Sequence, residues 1–290
     1  MTSQLIEQGL NGLMLGSIYA LMASGLSLIF GSMKMLNFAH GELYMLGGFA
    51  TYFAVTFLGL PWWLAIPLAM GLMLLAGFAI ERVVIEPLLR RPGWDDTPII
   101  ATLGLGVFLQ NAALLLFGAQ FKNLPYFIEG TGSFVGIRMA YQRILILVVS
   151  VAVMALFAQF LRRSKLGMAL RAVAQDRDAA RLQGIDAQGT YMWAFGIAAA
   201  LATLAAAMIA PIFSVNPWMG LTLLVKAFAV CVVGGLGSIG GAILAGILLG
   251  TAESLTVVLL SSQWKDVVSF TILIIVLWVR PSGFFGTKEW

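Results

Sequence analysis

RAVAQDRDAARLQGID, residues Arg171–Asp186, sets three Arg and three Asp into a chain whose other long stretches carry almost no charge. Directly after it, Ala187–Val225 runs without a single Lys, Arg, Asp or Glu, and Ile144–Leu161 does the same before it. Further uncharged runs cover Gln8–Met33, Leu43–Ile80, Thr97–Phe121 and Ala227–Ala252, with a shorter one at Val267–Val279. A helix of about 20 apolar residues crosses a bilayer, so these runs read as spans and the charged stretch as a connection between two of them. Two runs are long enough for two spans each. The first breaks at LGLPWW (Leu58–Trp63) and the second at SVNPW (Ser214–Trp218), where Pro stops a helix and Trp suits the headgroup layer. Spanning strands would alternate apolar and polar residues, and these runs do not. The expectation is an all-α, polytopic transmembrane helical bundle of about eight spans, within seven to nine. The composition agrees: of 290 residues 60% are hydrophobic and 10% charged, at a mean hydropathy of +0.96. That excludes a water-soluble domain.

The leader MTSQLIEQ has no Lys or Arg, and the run behind it exceeds a signal core, so the first run is expected to stay as a membrane helix. Lys and Arg in short loops set the orientation. Arg162–Arg181 holds six of the 17 positive charges and is placed in the cytoplasm. Counting spans from there puts Lys34, Arg82, Arg90, Arg91, Arg280 and Lys288 inside and the N-terminus outside. Phe121–Arg143 runs against the trend, since it falls outside with three positive charges. The net charge of +4 then follows from topology, and no basic patch interleaved with stacking aromatics points to nucleic acid.

Several chemistries are excluded or unsupported. One cysteine, Cys231, forbids an internal disulfide, and with one histidine, His40, there is no three- or four-ligand metal cluster and no recognisable catalytic set. Cys231 reads as a small buried apolar residue. GGLGSIGG contains G-x-G-x-x-G at Gly235, Gly237 and Gly240, yet it lies between apolar runs and not in a βαβ unit. Gly234, Gly235, Gly237, Gly240 and Gly241 suit close helix packing or a broken, re-entrant segment instead. No Gly-Lys-Ser/Thr occurs, so the chain has no phosphate loop of its own.

In the charged stretch, Asp178 and Arg181 stand three apart and share a helical face, and Gly184 is a natural helix stop. The residues suit a short helix laid against another protein, or a solvated loop that keeps positive charge inside. DAARLQG (Asp178–Gly184) resembles the acidic-Ala-Ala-x-x-x-Gly signature of ABC importer permeases, with Asp178 where Glu is usual and the Ile-x-Leu-Pro that often follows absent. Gly9–Phe49, Leu166–Asp186 and Leu223–Glu253 resemble, in order, the opening, coupling region and Gly-rich late segment of LivH-like permeases for branched-chain amino acids.

That resemblance implies a single permease domain over residues 1–290, with a cytoplasmic coupling loop at 162–190 and a multi-pass place in the bacterial inner membrane. Arg171, Asp176, Arg177, Asp178, Ala179, Ala180, Arg181 and Gly184 would form the coupling helix. The implied partners are two ATP-binding cassette ATPase subunits, a second permease (homologous or identical) and an extracytoplasmic amino-acid-binding protein, in a lipid bilayer. The chain itself would bind no cofactor and be no enzyme, with ATP and Mg on the partners. Import of branched-chain amino acids is the expected function, and the same class also serves amides, urea and other amino acids.

Three further features bear on a pathway. NFAHGE (Asn37–Glu42) is placed on the inner side, where Asn37, His40 and Glu42 could shape a gate, although a polar turn between spans is the favoured reading. Lys226 and Glu253 interrupt uncharged stretches, and could pair across the two late helices or snorkel apart, which the nearness of Lys226 to the outer turn favours. The loop Phe121–Arg143 suits docking of a binding protein or a plain linker. An ion-coupled secondary transporter would call for inverted repeats and several midplane acids, and a membrane-embedded enzyme for clustered His, Asp or Glu. Neither pattern is present in this sequence.

Overall fold

Residues 2–89, 97–134 and 137–286 are described by the computed structural model, in which each uncharged run is helical. Arg90, Arg91 and Lys288, placed inside by charge, lie outside the described residues. The chain opens with α1 (Thr2–Met33), α2 (His40–Thr56) and α3 (Trp62–Ile80), the last continuing through a π-helical turn (Glu81–Ile85) into α4 (Glu86–Leu89). After α5 (Thr97–Phe117) a small antiparallel hairpin, β1 (Thr131–Phe134) and β2 (Ile137–Ala140), leads into α6 (Tyr141–Arg163). Two short helices, α7 (Lys165–Gln175) and α8 (Arg177–Leu182), precede α9 (Ala187–Ile209), α10 (Met219–Gly234), α11 (Ile239–Leu259) and α12 (Lys265–Val279). The Pro-Trp breaks fall where α2 meets α3 and α9 meets α10.

Among the described residues seven helices are long and apolar enough to cross a membrane. Two more, α2 with 17 residues and α10 with 16, rise only about 26 and 24 Å. Burial separates the long helices. The most apolar window of α1 is 89% buried and that of α9 is 83%, against 17% for α5 and 11% for the span containing α12. Thus α1 and α9 form the centre, and α5 and α12 the periphery.

Small residues make that centre. The α9 stretch AAALATLAAA (Ala198–Ala207) lets neighbours approach its backbone, and Gly77 of α3 sits where a Cβ would come within 2.8 Å of the Phe195 carbonyl oxygen. α1 and α11 also approach closely, through Gly12 and Gly16 on one and Gly246 and Gly250 on the other. A Cβ on Gly250 would lie 2.3 Å from the Gly16 Cα. These are two small-xxx-small faces packed against each other.

The bundle has two distinct ends. At the basic end, Lys34, Arg171 and Phe285 line one cleft. At the far end, Lys122 and Val215 exchange backbone hydrogen bonds of 2.9 and 2.8 Å, Phe127 stacks on Trp62, and Arg143 bonds Asn11 of α1. The N-terminal half of α1 and the 118–140 loop therefore share one end and the charged insert occupies the other. The hairpin is the one departure from all-helix in the described residues; it pairs backbone that a 23-residue connection would leave open.

The Gly-rich segment is a tight corner between α10 and α11. Gly235 (φ +100°) and Gly237 (φ +81°) turn the chain, and the Ser238 hydroxyl accepts from Gly241 N at 3.1 Å to cap α11. Gly234 and Gly241 touch, since a Cβ on Gly241 would lie 2.0 Å from the Gly234 oxygen. Gly240 faces open space and takes no part in the contact. The tail closes over the corner, with Phe284 N and Phe285 N donating to Val233 O and Gly234 O.

Candidate functional site

The charged insert is built largely by its own side chains. Ser164 caps α7 by accepting from Gly167 N at 2.8 Å, and Arg171 reaches back to donate to the carbonyl oxygens of Leu161 and Arg162 at the end of α6. Asp176 caps α8, its Oδ1 accepting from Asp178 N and Ala179 N, both at 2.9 Å. Gly184 (φ +80°) closes α8, with Gly184 N donating to Arg181 O at 2.9 Å and Ile185 N to Ala180 O at 3.1 Å. Asp186 then caps α9 through Gln188 N, while the Arg177 guanidinium lies 5.5 Å from the Tyr191 ring centroid.

With those groups spent on shape, α8 presents Asp178, Ala179, Arg181 and Leu182 outward, over a buried Ala180. Asp178 and Arg181 do share a face, but at 4.0 Å and well exposed they contribute little to stability. Leu182 is 88% exposed. The insert is also tied inward: Glu81, in the π-helical turn below α3, accepts from the Gln188 side chain at 2.6 Å. Sequence reading passed over Glu81. A lone acid at the end of an apolar run looks like an interfacial residue unless its partner is known.

NFAHGE is not at the inner surface. His40 Nε2 donates to the carbonyl of Met22, 11 residues before the end of α1, which puts the start of α2 about 16 Å inside the basic end. Lys34 (φ +55°) reverses the chain, and the irregular stretch to Asn37 with the turn at Phe38–Ala39 leads back beside α1. Thr102 of α5 pins that stretch by accepting from Phe38 N at 3.2 Å. There Gly41 meets Gly220, so the short helices α2 and α10 start against each other inside the bundle. Asn37 and His40 are wholly buried and Glu42 nearly so. Asn37 Oδ1 accepts from Ala39 N at 3.0 Å, whereas Asn37 Nδ2, His40 Nδ1 and Glu42 Oε2 are buried without a hydrogen-bond partner among the described residues. The favoured polar turn at the membrane face is thereby corrected: it is a re-entrant segment with unused hydrogen-bonding capacity.

Lys226 and Glu253 pair directly instead of snorkelling apart. Lys226 lies seven residues into α10, and two carboxylates, one on α11 and one on α12, offset its desolvation. Its Nζ also meets Asp266 Oδ1 of α12 at 2.7 Å. Glu253 further accepts from Ser269 and, at 2.8 Å, from the Tyr19 hydroxyl of α1. Four helices thus meet at one ionic cluster, which walls a cavity of about 390 Å³ at the far end. Asp266 was missed because it begins a span and so resembles an interfacial anchor. Cys231 is fully buried, its thiol 3.2 Å from the Ala23 carbonyl oxygen.

The sequence profile of the family described as "Branched-chain amino acid transport system / permease component" matches residues 9–277. The high-affinity branched-chain amino acid transport system permease protein BraD of Pseudomonas aeruginosa is 40% identical, over 98% of this chain and 96% of its own. LivH of Escherichia coli strain K12, a permease protein of the same description, is 36% identical over the same shares. LivM of that organism is 28% identical over 82% of this chain and 61% of its own.

Proposed function

Because this chain belongs to the branched-chain amino acid transport permease family, we propose that it is the membrane-embedded subunit of an ATP-driven, binding-protein-dependent importer moving leucine, isoleucine and valine into the cytoplasm. The observation that carries this reading is α8, a rigid, self-capped helix that offers charged residues and one exposed leucine to a partner. Two ATPase subunits, holding ATP and Mg²⁺, bind the coupling helices of the two permeases, one of them at α8. Likeness to LivM supports a homologous second permease, and the far-end hairpin and loop receive the external binding protein in the bacterial inner membrane.

The insert's anchors supply the mechanics. Arg171 ties it to the end of α6, Asp186 caps α9, and Glu81, in the π-helical turn that continues α3, holds Gln188. Displacement of α8 by the ATPases therefore drags three spans together, and the break between α1 and α2 supplies a joint inside the bundle. Chemistry stays on the ATPases; this subunit transmits the work.

The test is reconstitution of the assembled importer in proteoliposomes with internal ATP. Exchanging the charges (Asp178→Arg with Arg181→Asp), or Leu182→Asp, is expected to cut leucine uptake at least tenfold. Thermal stability of the subunit should move by less than about 1 kcal/mol, because the pair is exposed. Full uptake in both variants would refute docking through α8.

A further inference from the structure

The far-end cavity combines a charged wall with an apolar one. Lys226 and Glu253 neutralise each other, and both oxygens of Glu253 are engaged, by Lys226, Ser269 and Tyr19. Asp266 is different. It spends Oδ1 on Lys226, its second oxygen takes no hydrogen bond among the described residues, and its side chain is 55% exposed. These three ionic groups sum to one negative charge, and Lys265, which lines the same cavity beside Asp266, brings its charged lining to neutrality. Away from the charges the lining is apolar at Leu15, Ile209, Phe213, Met219 and Leu223, with Ser214, Asn216 and Thr222 among them.

We propose that this cavity receives a free zwitterionic α-amino acid with an aliphatic side chain, an assignment that rests on the import reading above and names where in this subunit the cargo first binds. The ammonium group meets Asp266, the carboxylate meets Lys265, and the side chain lies on the Leu15–Leu223 wall. A simple cation would face Lys265 and a simple anion Asp266, so the pair selects a ligand carrying both charges. At about 390 Å³ the space falls within the usual range for small-molecule sites. Its position suits cargo released from an external binding protein. The cluster behind it joins α1, α10, α11 and α12, so ligand drawn to Asp266 competes with Lys226 and loosens α12 from α10.

Thiol protection tests this in the assembled importer. Cys231 is fully buried, so background labelling is low. Ser214 lines the cavity, and Ser214→Cys gives a reporter outside the polar contacts. The complex is held in nanodiscs of phosphatidylcholine and phosphatidylglycerol and labelled with a membrane-impermeant maleimide. L-leucine is expected to slow labelling at least fivefold, whereas leucinamide and 4-methylpentanoate, each lacking one charge, do not. Asp266→Asn should abolish protection, measured against that variant's own ligand-free labelling rate, and Asp266→Glu should restore it.

Equal protection by the two single-charge analogues would overturn the proposal. So would protection by phosphatidylethanolamine in the bilayer without leucine, which would assign the cavity to lipid. ATP-dependent leucine uptake is measured on the same preparation. Uptake without protection overturns the cavity site and leaves the import reading standing; protection without uptake supports the cavity and overturns that reading.

Discussion

Glu42 and Glu253 are both buried acids in a membrane bundle, but they differ in what surrounds them. Glu253 has a lysine and two hydroxyls, so removing a partner leaves an uncompensated charge. Lys226→Met is expected to destabilise the protein by about 3–5 kcal/mol, read from thermal unfolding in detergent. Adding Glu253→Leu should recover part of that loss, since no buried carboxylate then lacks its lysine, and Asp266, half exposed, keeps its hydration. Glu42 shows the reverse pattern, with Oε2 buried and unpartnered. Glu42→Met should therefore stabilise the fold by about 1–3 kcal/mol while lowering uptake, and the opposite signs of the two readouts identify a residue kept for transport. In the sequence these acids look alike, as isolated charges near apolar runs. What distinguishes them is the partner, and Tyr19 and Glu253 are 234 residues apart.

At the scale of elements, the insert was the most legible part of the chain, because capping is local. Asp176, Gly184 and Asp186 act within three residues of themselves, so a short self-contained helix can be read from sequence order alone. The Gly-rich corner was half legible. Its glycines announce a break or a close contact, but which of them is needed depends on what lies opposite. Gly240→Ala should be neutral or stabilising by up to about 1 kcal/mol, because a methyl group there meets open space within a helix. Gly241→Ala should open the corner at a cost of about 3 kcal/mol or more, as a Cβ would overlap the Gly234 oxygen. Midpoints of thermal unfolding for the two variants check the contrast. The re-entrant start of α2 was illegible, since a polar turn at the surface and one 16 Å inside share the same residue types.

For the whole molecule, the number of spans and the sharing of ends between loops follow from uncharged length and from Lys and Arg. Which helices lie at the centre does not follow from hydropathy. The windows of α5 and α9 have the same mean hydropathy, 2.0, yet are 17% and 83% buried. Side-chain size makes the difference: α9 is Ala-rich and α5 Leu-rich, so one admits neighbouring backbones and the other faces outward. Gly250→Val, which would drive a branched side chain into Gly16, is expected to abolish recovery of folded protein from the membrane; undiminished yield would show the α1–α11 contact to be dispensable. That contact also has a consequence for biogenesis. More than 200 residues separate the end of α1 from the start of its partner α11, and at ~5–20 residues per second the wait is roughly 10–50 s. During it α1 stands in the membrane with its glycine face open, a natural client for an insertion chaperone until α11 arrives.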